Sequence, residues 1–306
     1  MLVNAQSINQ IFIGLQAVFN NAFEAAPSTW QQIAMLVPSS GREELYAWLD
    51  RFPKMAKWIG DKNVKALKAH GYTVVNDDFE ATVEVDRNDI EDDRLGIYAP
   101  QAQNAGYSAK QLPDEIIYDL VNHAFEKNCY DGQYFFDTDH PVGRGVTSNK
   151  FSLPLTIAGQ AAAIATYGAV RTAMRKVQDD EGRPLNITPN ILLVPPALED
   201  VANALMTNDR LNDGMPNPYK GTAKVVCDAR LLSDTAWYLL DTTKPVKPFV
   251  YQERKAPVFV QQIDPEAPDV FMRKTFKFGA EARAAGGFGF WQLAAGSTGD
   301  GPVPQQ

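Results

Sequence analysis

Only two cysteines and three histidines occur among the 306 residues. Cys129 and Cys227 lie far apart and form no CxxC pair, so no structural disulfide is expected and a reducing cytoplasm is the default. His70, His123 and His140 fit neither HExxH nor another metal-site spacing. No run of about 18 apolar residues occurs, so no helix is expected to span a bilayer. The start of the chain lacks the basic stretch and small-residue cleavage site of a secretory signal, and the protein is expected to stay where it is made. The phosphate-cradling GxxxxGK(S/T) loop is missing, and so is GxGxxG. Gly286, Gly287 and Gly289 precede a strand-like stretch, the wrong context for a dinucleotide loop. Basic residues are dispersed through a chain of net charge −8, which argues against gripping nucleic acid by counterion release.

What the chain does contain is a hydrophobic share of 45%, enough for a real core and two subdomains. Its strongest signal is one long helix. Tyr98, Ala102, Ala105, Ala109, Leu112, Ile116, Leu120 and Ala124 recur in steps of three and four on one stripe. Asp92 or Asp93 can cap its start. A helix from Ile97 to Lys127 would be about 45 Å long at ~1.5 Å per residue. Pro113 removes one hydrogen bond in its middle, and because the stripe keeps phase across it, a bend rather than an end is expected.

A second stripe, Ile8, Ile11, Phe12, Leu15, Val18, Phe19, Ala22 and Phe23, starts after a Ser7 cap and ends near Pro27. It either docks on its own domain or packs on a neighbouring subunit. A short helix is expected from Glu43 to Arg51, and Lys62, Lys65 and Lys68 read as the solvated face of a strand. Tyr72–Val75 and Phe79–Val85 read as a hairpin turning at Asn76–Asp78, with Phe79, Ala81, Val83 and Val85 on its apolar face. A lone hairpin is marginal in water, so that face needs a cover. After an aromatic, acidic turn at 129–141 and a polar link at 143–150, a helix over 156–178 follows. Then come a strand over 190–194, a helix over 196–206, an exposed loop over 208–220 and strands over 224–227 and 236–240. Strands over 258–263, 270–278 and 289–293 precede a frayed tail.

One cluster could carry chemistry. Asp137, Asp139 and His140 offer two carboxylates and an imidazole, a set that a metal-dependent hydrolase could use. The structural alternative is that Asp137 and His140 cap a turn against Pro141. Glu91, Asp92 and Asp93 could hold magnesium, but carboxylates at a helix start are already explained by free N–H groups and the macrodipole. His123 could act as a general base, yet no nucleophile lies near it in sequence.

The wording of three stretches, RFPKMAKWIGDK at 51–62, NDDFEATVEVDRNDIEDDRLGIYAP at 76–100 and NCYDGQYFFDTDHP at 128–141, resembles the major head subunits of Mu-like phages and prophages. That family has the tailed-phage, Hong Kong phage-type capsid fold, of α+β class. The resemblance implies an N-terminal arm at 1–37, an extended loop at 38–85 laid over a neighbour, and a peripheral domain with a spine helix at 86–150. It further implies an axial domain at 151–245, a return to the peripheral domain at 246–295, and a flexible tail at 296–306. The implied role is structural and non-enzymatic, without cofactor: hexamers and pentamers of one chain closing an icosahedral head in the host cytoplasm, with scaffold, portal and decoration proteins as partners and no membrane. DNA would be enclosed without sequence-specific contact. Phe12, Phe19, Trp58, Phe79, Val83 and Val85 are then the candidates for intersubunit contact. The Lys–Asn cross-link of some relatives of this fold is not carried over, because no motif supports it. The competing readings are the hydrolase and a tail or baseplate structural protein.

Overall fold

The computed structural model describes residues 5–46, 49, 71–92, 95–264 and 267–304. Trp58, Lys62, Lys65, Lys68 and Asp93 lie outside them. Two sheets and one helix between them organise the chain. A four-stranded sheet has the order β1 (Ala34–Pro38), β11 (Phe249–Gln262), β12 (Thr275–Phe288), β4 (Asp77–Asp86). A five-stranded sheet has the order β7 (Lys150–Phe151), β13 (Ala294–Ser297), β10 (Trp237–Leu240), β8 (Ile191–Val194), β9 (Lys224–Cys227). The pairs β1/β11, β13/β7 and β8/β9 are parallel, the rest antiparallel. The mixture is the expected α+β class. Residues of β8, β10 and β13 are buried throughout, which is why these segments read as unbroken apolar or small-residue runs rather than as alternations.

The long helix is α3, Ala99–Asn122, with Pro100 near its start and Pro113 inside it. It is unbroken at Pro113 but shorter than the stripe suggested, about 36 Å at ~1.5 Å per residue. Its end is decided by a side chain: Asn122 donates to the Arg230 carbonyl at 2.8 Å and accepts from the Leu232 amide at 3.0 Å. The stripe is not the only buried face. Asp114, Ile117, Tyr118 and Val121 are buried as well, so the helix is sandwiched.

The first helix, α1 (Ala5–Ala25), places Ser7 inside the helix rather than at its cap. It crosses α3 where Gly106 has no side chain; a methyl group there would run into the Phe19 carbonyl. Past Pro27 the chain makes a tight turn whose polar groups converge on Asp114. That carboxylate, wholly buried, accepts from Ser28 Oγ at 2.6 Å, from the Thr29 and Trp30 amides at 2.8 Å, and from Thr29 Oγ1 at 3.1 Å. Thr29 Oγ1 also lies 2.8 Å from Tyr118 Oη and 3.2 Å from Asp228 Oδ2. Arg230 holds both oxygens of Asp228 at 3.0 Å and bonds Gln111, which in turn donates to the Pro27 carbonyl. The turn after α1, the long helix and the loop after β9 therefore meet in one polar knot.

Several sequence expectations are corrected. The expected hairpin does not form: β3 (Thr73–Val75) pairs with β2 (Glu43–Leu45), and β4 pairs with β12. Asn76 is buried at the crossing, donating to Ser39 Oγ and the Gly41 carbonyl and accepting from Gln252, so it is a pinned crossover and not a turn apex. Of the short helix expected from Glu43 to Arg51, residues 43–45 are strand β2, because Glu44 reaches back to the Ser40 amide at 2.6 Å and the Gly41 amide at 3.2 Å, and residues 47, 48, 50 and 51 lie outside the described residues. These bonds, the Ser40 one first, pull the Glu44 carboxyl below its ordinary pKa.

Residues 268–273 are helix α7 instead of strand, started by Pro268 and stopped by Lys274 at φ 58°. The helix expected over 156–178 is α4 (Gln160–Ala163) running through a π turn into α5 (Ala169–Lys176). Residues 289–293 hold a 3-10 turn at Trp291–Leu293. Gly296 and Ser297 belong to buried strand β13 and are no tail.

Two substitutions test this frame. Asp114→Ala strips the acceptor from buried donors and is expected to lower unfolding free energy by about 3 kcal/mol in urea titration. Gly106→Ala, which forces α1 off α3, is expected to cost about 1–3 kcal/mol in the same measurement.

Candidate functional site

The turn between α3 and the first hairpin, β5 (His140–Val142) with β6 (Gly145–Thr147), holds the side chains that looked catalytic. It does not assemble Asp137, Asp139 and His140. Asp137 Oδ1 accepts from the Thr138 amide at 2.8 Å and Oδ2 from the Tyr134 amide at 3.3 Å, the work of a turn cap. Asp139 is exposed. His140 is buried instead against Asp131, Nδ1 to Oδ2 2.7 Å, and Asn149, Nε2 to Oδ1 3.2 Å, with its ring stacked 4.0 Å from Trp291.

Cys129 completes this group, its Sγ 3.0 Å from Asp131 Oδ1. Cys129, Asp131 and His140 each place a donor atom within 4.8 Å of the others, a set that a thiophilic ion could use. Every one of these atoms is already satisfied by a neighbour. Burial, then the adjacent Asp131 charge, pushes the Cys129 thiol far up, so it is a poor nucleophile. Burial works to raise Asp131 too, but hydrogen bonds from His140, Cys129 and the Gln133 amide outweigh it and leave its carboxyl below the ordinary value. Asn149 donates to the carbonyls of Phe135, Trp291 and Ala294, tying the turn to the five-stranded sheet. Sequence reasoning missed Asp131 and Asn149 because they flank His140 by nine residues on either side, with no motif to join them. His123 sits exposed at the helix end beside Asp119, with its Nδ1 2.9 Å from the Asp119 carbonyl.

The contact candidates divide into three groups. Phe12 is buried within this chain, its ring edge-on to Phe276 at 6.3 Å and Phe278 at 6.1 Å, and Phe19 is buried against Phe259 at 5.4 Å. Val85 is likewise wholly buried and Val83 half-buried in the same cluster. As intersubunit contacts Phe12, Phe19 and Val85 are corrected: α1 covers the apolar face of β4 and β12, so the cover comes from the same chain. Trp58 lies outside the described residues. Of the described candidates, Phe79 borders an open surface.

That surface is a furrow of about 510 Å³ between α3 and the four-stranded sheet, lined by Tyr72, Val74, Phe79, Leu112, Ile116 and Leu120. Its floor passes over Gly286, where β12 comes close to Ile116. A smaller hollow of about 170 Å³ continues past Phe79 and Leu112 towards Pro257. Leu112 and Ile116 were on the sequence stripe, but α1 ends before it reaches them, so that part of the stripe stays open. Other large apolar side chains stand in solvent at Val146, Leu232, Phe271 and Met272. No helix among the described residues is long and apolar enough to cross a membrane.

With this geometry in place, the relatives are informative. The family model described as Mu-like prophage major head subunit gpT matches residues 8–164, 151–231 and 227–300. The major capsid protein of Escherichia phage Mu is 34% identical over 300 residues, spanning 98% of this chain and 76% of that protein. The Mu-like prophage FluMu major head subunit of Haemophilus influenzae is 31% identical over 95% of this chain and 73% of its own length. Among solved structures, a chain of the procapsid of bacteriophage JBD30 superimposes with a TM-score of 0.62 at 31% identity, covering 99% of this chain and 78% of that one.

Two measurements test the site assignments. Phe12→Asp is expected to abolish the folded circular dichroism signal, whereas Phe79→Asp leaves it intact, because only the first charge enters a closed core. The lowered Asp131 carboxyl contributes stability that is complete above its ordinary value of 3.8 and lost as pH falls through the lower folded value. Asp131→Asn should therefore lower the melting temperature at pH 7 and flatten the remaining loss below pH 3.8.

Proposed function

The chain belongs to the family of Mu-like prophage major head subunits, a structural protein of the phage head, and from that premise we propose how its copies build the shell. The four-stranded sheet with α3 and α1 serves as the peripheral domain, and the five-stranded sheet serves as the axial domain at capsomer centres. The stretch 38–85, anchored by β2 and β3, is the extended loop that overlies a neighbour. Hexamers and pentamers of the chain close around DNA, assisted by scaffold, portal and decoration proteins.

The observation that supports this most is the likeness to a procapsid subunit over 99% of the chain. The polar knot at Asp114 supports it further, since a subunit that bears load between neighbours needs its layers locked together. A net charge of −8 suits a wall that encloses a polyanion without gripping it. No catalytic role is assigned: the Cys129, Asp131, His140 group is spent on holding a turn, and the chain is read as a non-enzymatic subunit.

The test is assembly. The purified chain, alone or with a scaffold protein, is expected to sediment as particles that negative-stain microscopy shows as closed shells or capsomer rings. Phe79→Asp should remain folded and lose most of that particle fraction. Monomers only, under every condition that assembles the Mu-type relatives, would overturn the reading.

A further inference from the structure

We propose that α5 and the loop facing it form a binding site for a phosphate group, with the Arg171 guanidinium and the Tyr219 hydroxyl as its donors. The site belongs to the single chain and does not depend on the shell-forming role. It stands apart from the acidic surplus of the rest of the sequence. Residues 160–177 contain Arg171, Arg175 and Lys176 and no acidic residue, in a chain of net charge −8.

Arg171 is the unusual group. It is half-buried, its Nε is closed off from solvent with no hydrogen-bond partner, and its guanidinium has no carboxylate partner among the described residues. An arginine keeps its charge at any physiological pH, so it cannot relieve that burial by losing a proton. The acids of the facing loop are engaged elsewhere. Asp209 pairs with Lys220, and Asp213 accepts from the Gln160 amide at 2.7 Å and the Met215 amide at 3.0 Å.

The hydroxyls around it are fixed by packing. Tyr167 lies in the π turn Ile164–Gly168, stacks on Trp237 of the five-stranded sheet at 6.1 Å and meets Tyr219 edge-on at 5.0 Å. Gly168 has no side chain where Tyr219 Oη rests, and a methyl group there would collide with it. Thr222 Oγ1 donates to the Tyr219 carbonyl at 2.8 Å, so the 3.1 Å contact between Tyr167 Oη and Thr222 Oγ1 uses the Tyr167 proton. Tyr219 Oη has no hydrogen-bond partner among the described residues. Its proton is free for a ligand. Burial raises both phenols; the Thr222 bond and then the Arg171 charge oppose this at Tyr167, and the Arg171 charge opposes it at Tyr219. The guanidinium therefore stands close to both hydroxyls.

The donor set selects the ligand. A guanidinium fork with one phenolic O–H offers at least three donors and no acceptor to a single anion. Arg175, one turn further along α5, is exposed and has no ion-pair partner among the described residues. It adds a second positive charge. A carboxylate has two oxygens and one charge, whereas a phosphate group has the oxygens and the charge to meet all of these groups. Free phosphate and a nucleic-acid backbone share that chemistry.

The test is direct binding to the unassembled chain. In about 10 mM phosphate the melting temperature is expected to rise by about 2 °C over chloride of equal ionic strength. In calorimetric titration with inorganic phosphate, Arg171→Gln and Tyr219→Phe should each weaken binding about tenfold. Tyr219→Phe keeps the ring against Tyr167, so it carries the test if circular dichroism shows Arg171→Gln to be misfolded. A short fluorescent DNA duplex separates the two sources. If the duplex binds, is displaced by phosphate and is lost in Arg171→Gln, the group is held on nucleic acid; if phosphate binds and the duplex does not, the ligand is the free anion. Either result sustains the site. No stabilisation over chloride, or binding that survives both substitutions, overturns it. It is equally overturned if phosphate does not bind and Arg171→Gln instead lowers particle yield, since the arginine then pairs with an acidic side chain of a neighbouring copy.

Discussion

A buried carboxylate with four hydrogen bonds holds the subunit together. Asp114 sits one residue after the proline in α3, wholly enclosed, and receives the backbone and hydroxyl donors of Ser28, Thr29 and Trp30. A charge removed from water at such depth is tolerable only when its lone pairs are met. The turn at 28–30 supplies those donors and is itself determined by them. Through Thr29, Asp228, Arg230 and Gln111 the same knot reaches the loop that follows β9. The turn after α1, the long helix α3 and the loop after β9 are thus held in one geometry by polar contacts that slippage by a few ångströms would break.

The second joint is aromatic. Phe135 stacks on Phe288 at 4.5 Å and packs on Phe249 at 5.2 Å, both in the four-stranded sheet. The next residue, Phe136, stacks on Tyr238 of the five-stranded sheet at 5.5 Å. His140, Asp131 and Asn149 hold the turn that presents the two rings in opposite directions. The turn that Asp131, His140 and Asn149 hold therefore pins the two layers together.

Among the described residues, the apolar surface beside α3 is left incompletely covered. α1 covers the sheet and α3 as far as Ala109 and then turns away at Pro27, so Leu112, Ile116 and Phe79 border an open furrow. A monomer that needed only to be stable would extend its covering helix. The acidic side chains of Asp77, Glu115 and Asp119 border the same furrow.

Residue pattern alone determined the elements whose stabilising contacts are local or periodic. The α3 stripe, the α1 stripe, the alternation of β4 and the buried runs of β8 and β10 were all legible, because burial of one face imposes a period on the sequence. The wording of three stretches carried the family. Tertiary structure decided which faces were already occupied. Phe12 and Phe19 were visible as apolar positions, but that their cover is Phe276, Phe278 and Phe259 depends on a crossing at Gly106 more than 80 residues away along the chain. Likewise Asn76 has turn chemistry in isolation and becomes a buried crossover only because Ser39, Gly41 and Gln252 surround it. Asp114 carried no sequence signal, since a charged residue inside an amphipathic helix normally faces solvent. Its partners come from segments that only the folded chain brings together, and a long-range hydrogen bond leaves no period in sequence for a reader to find.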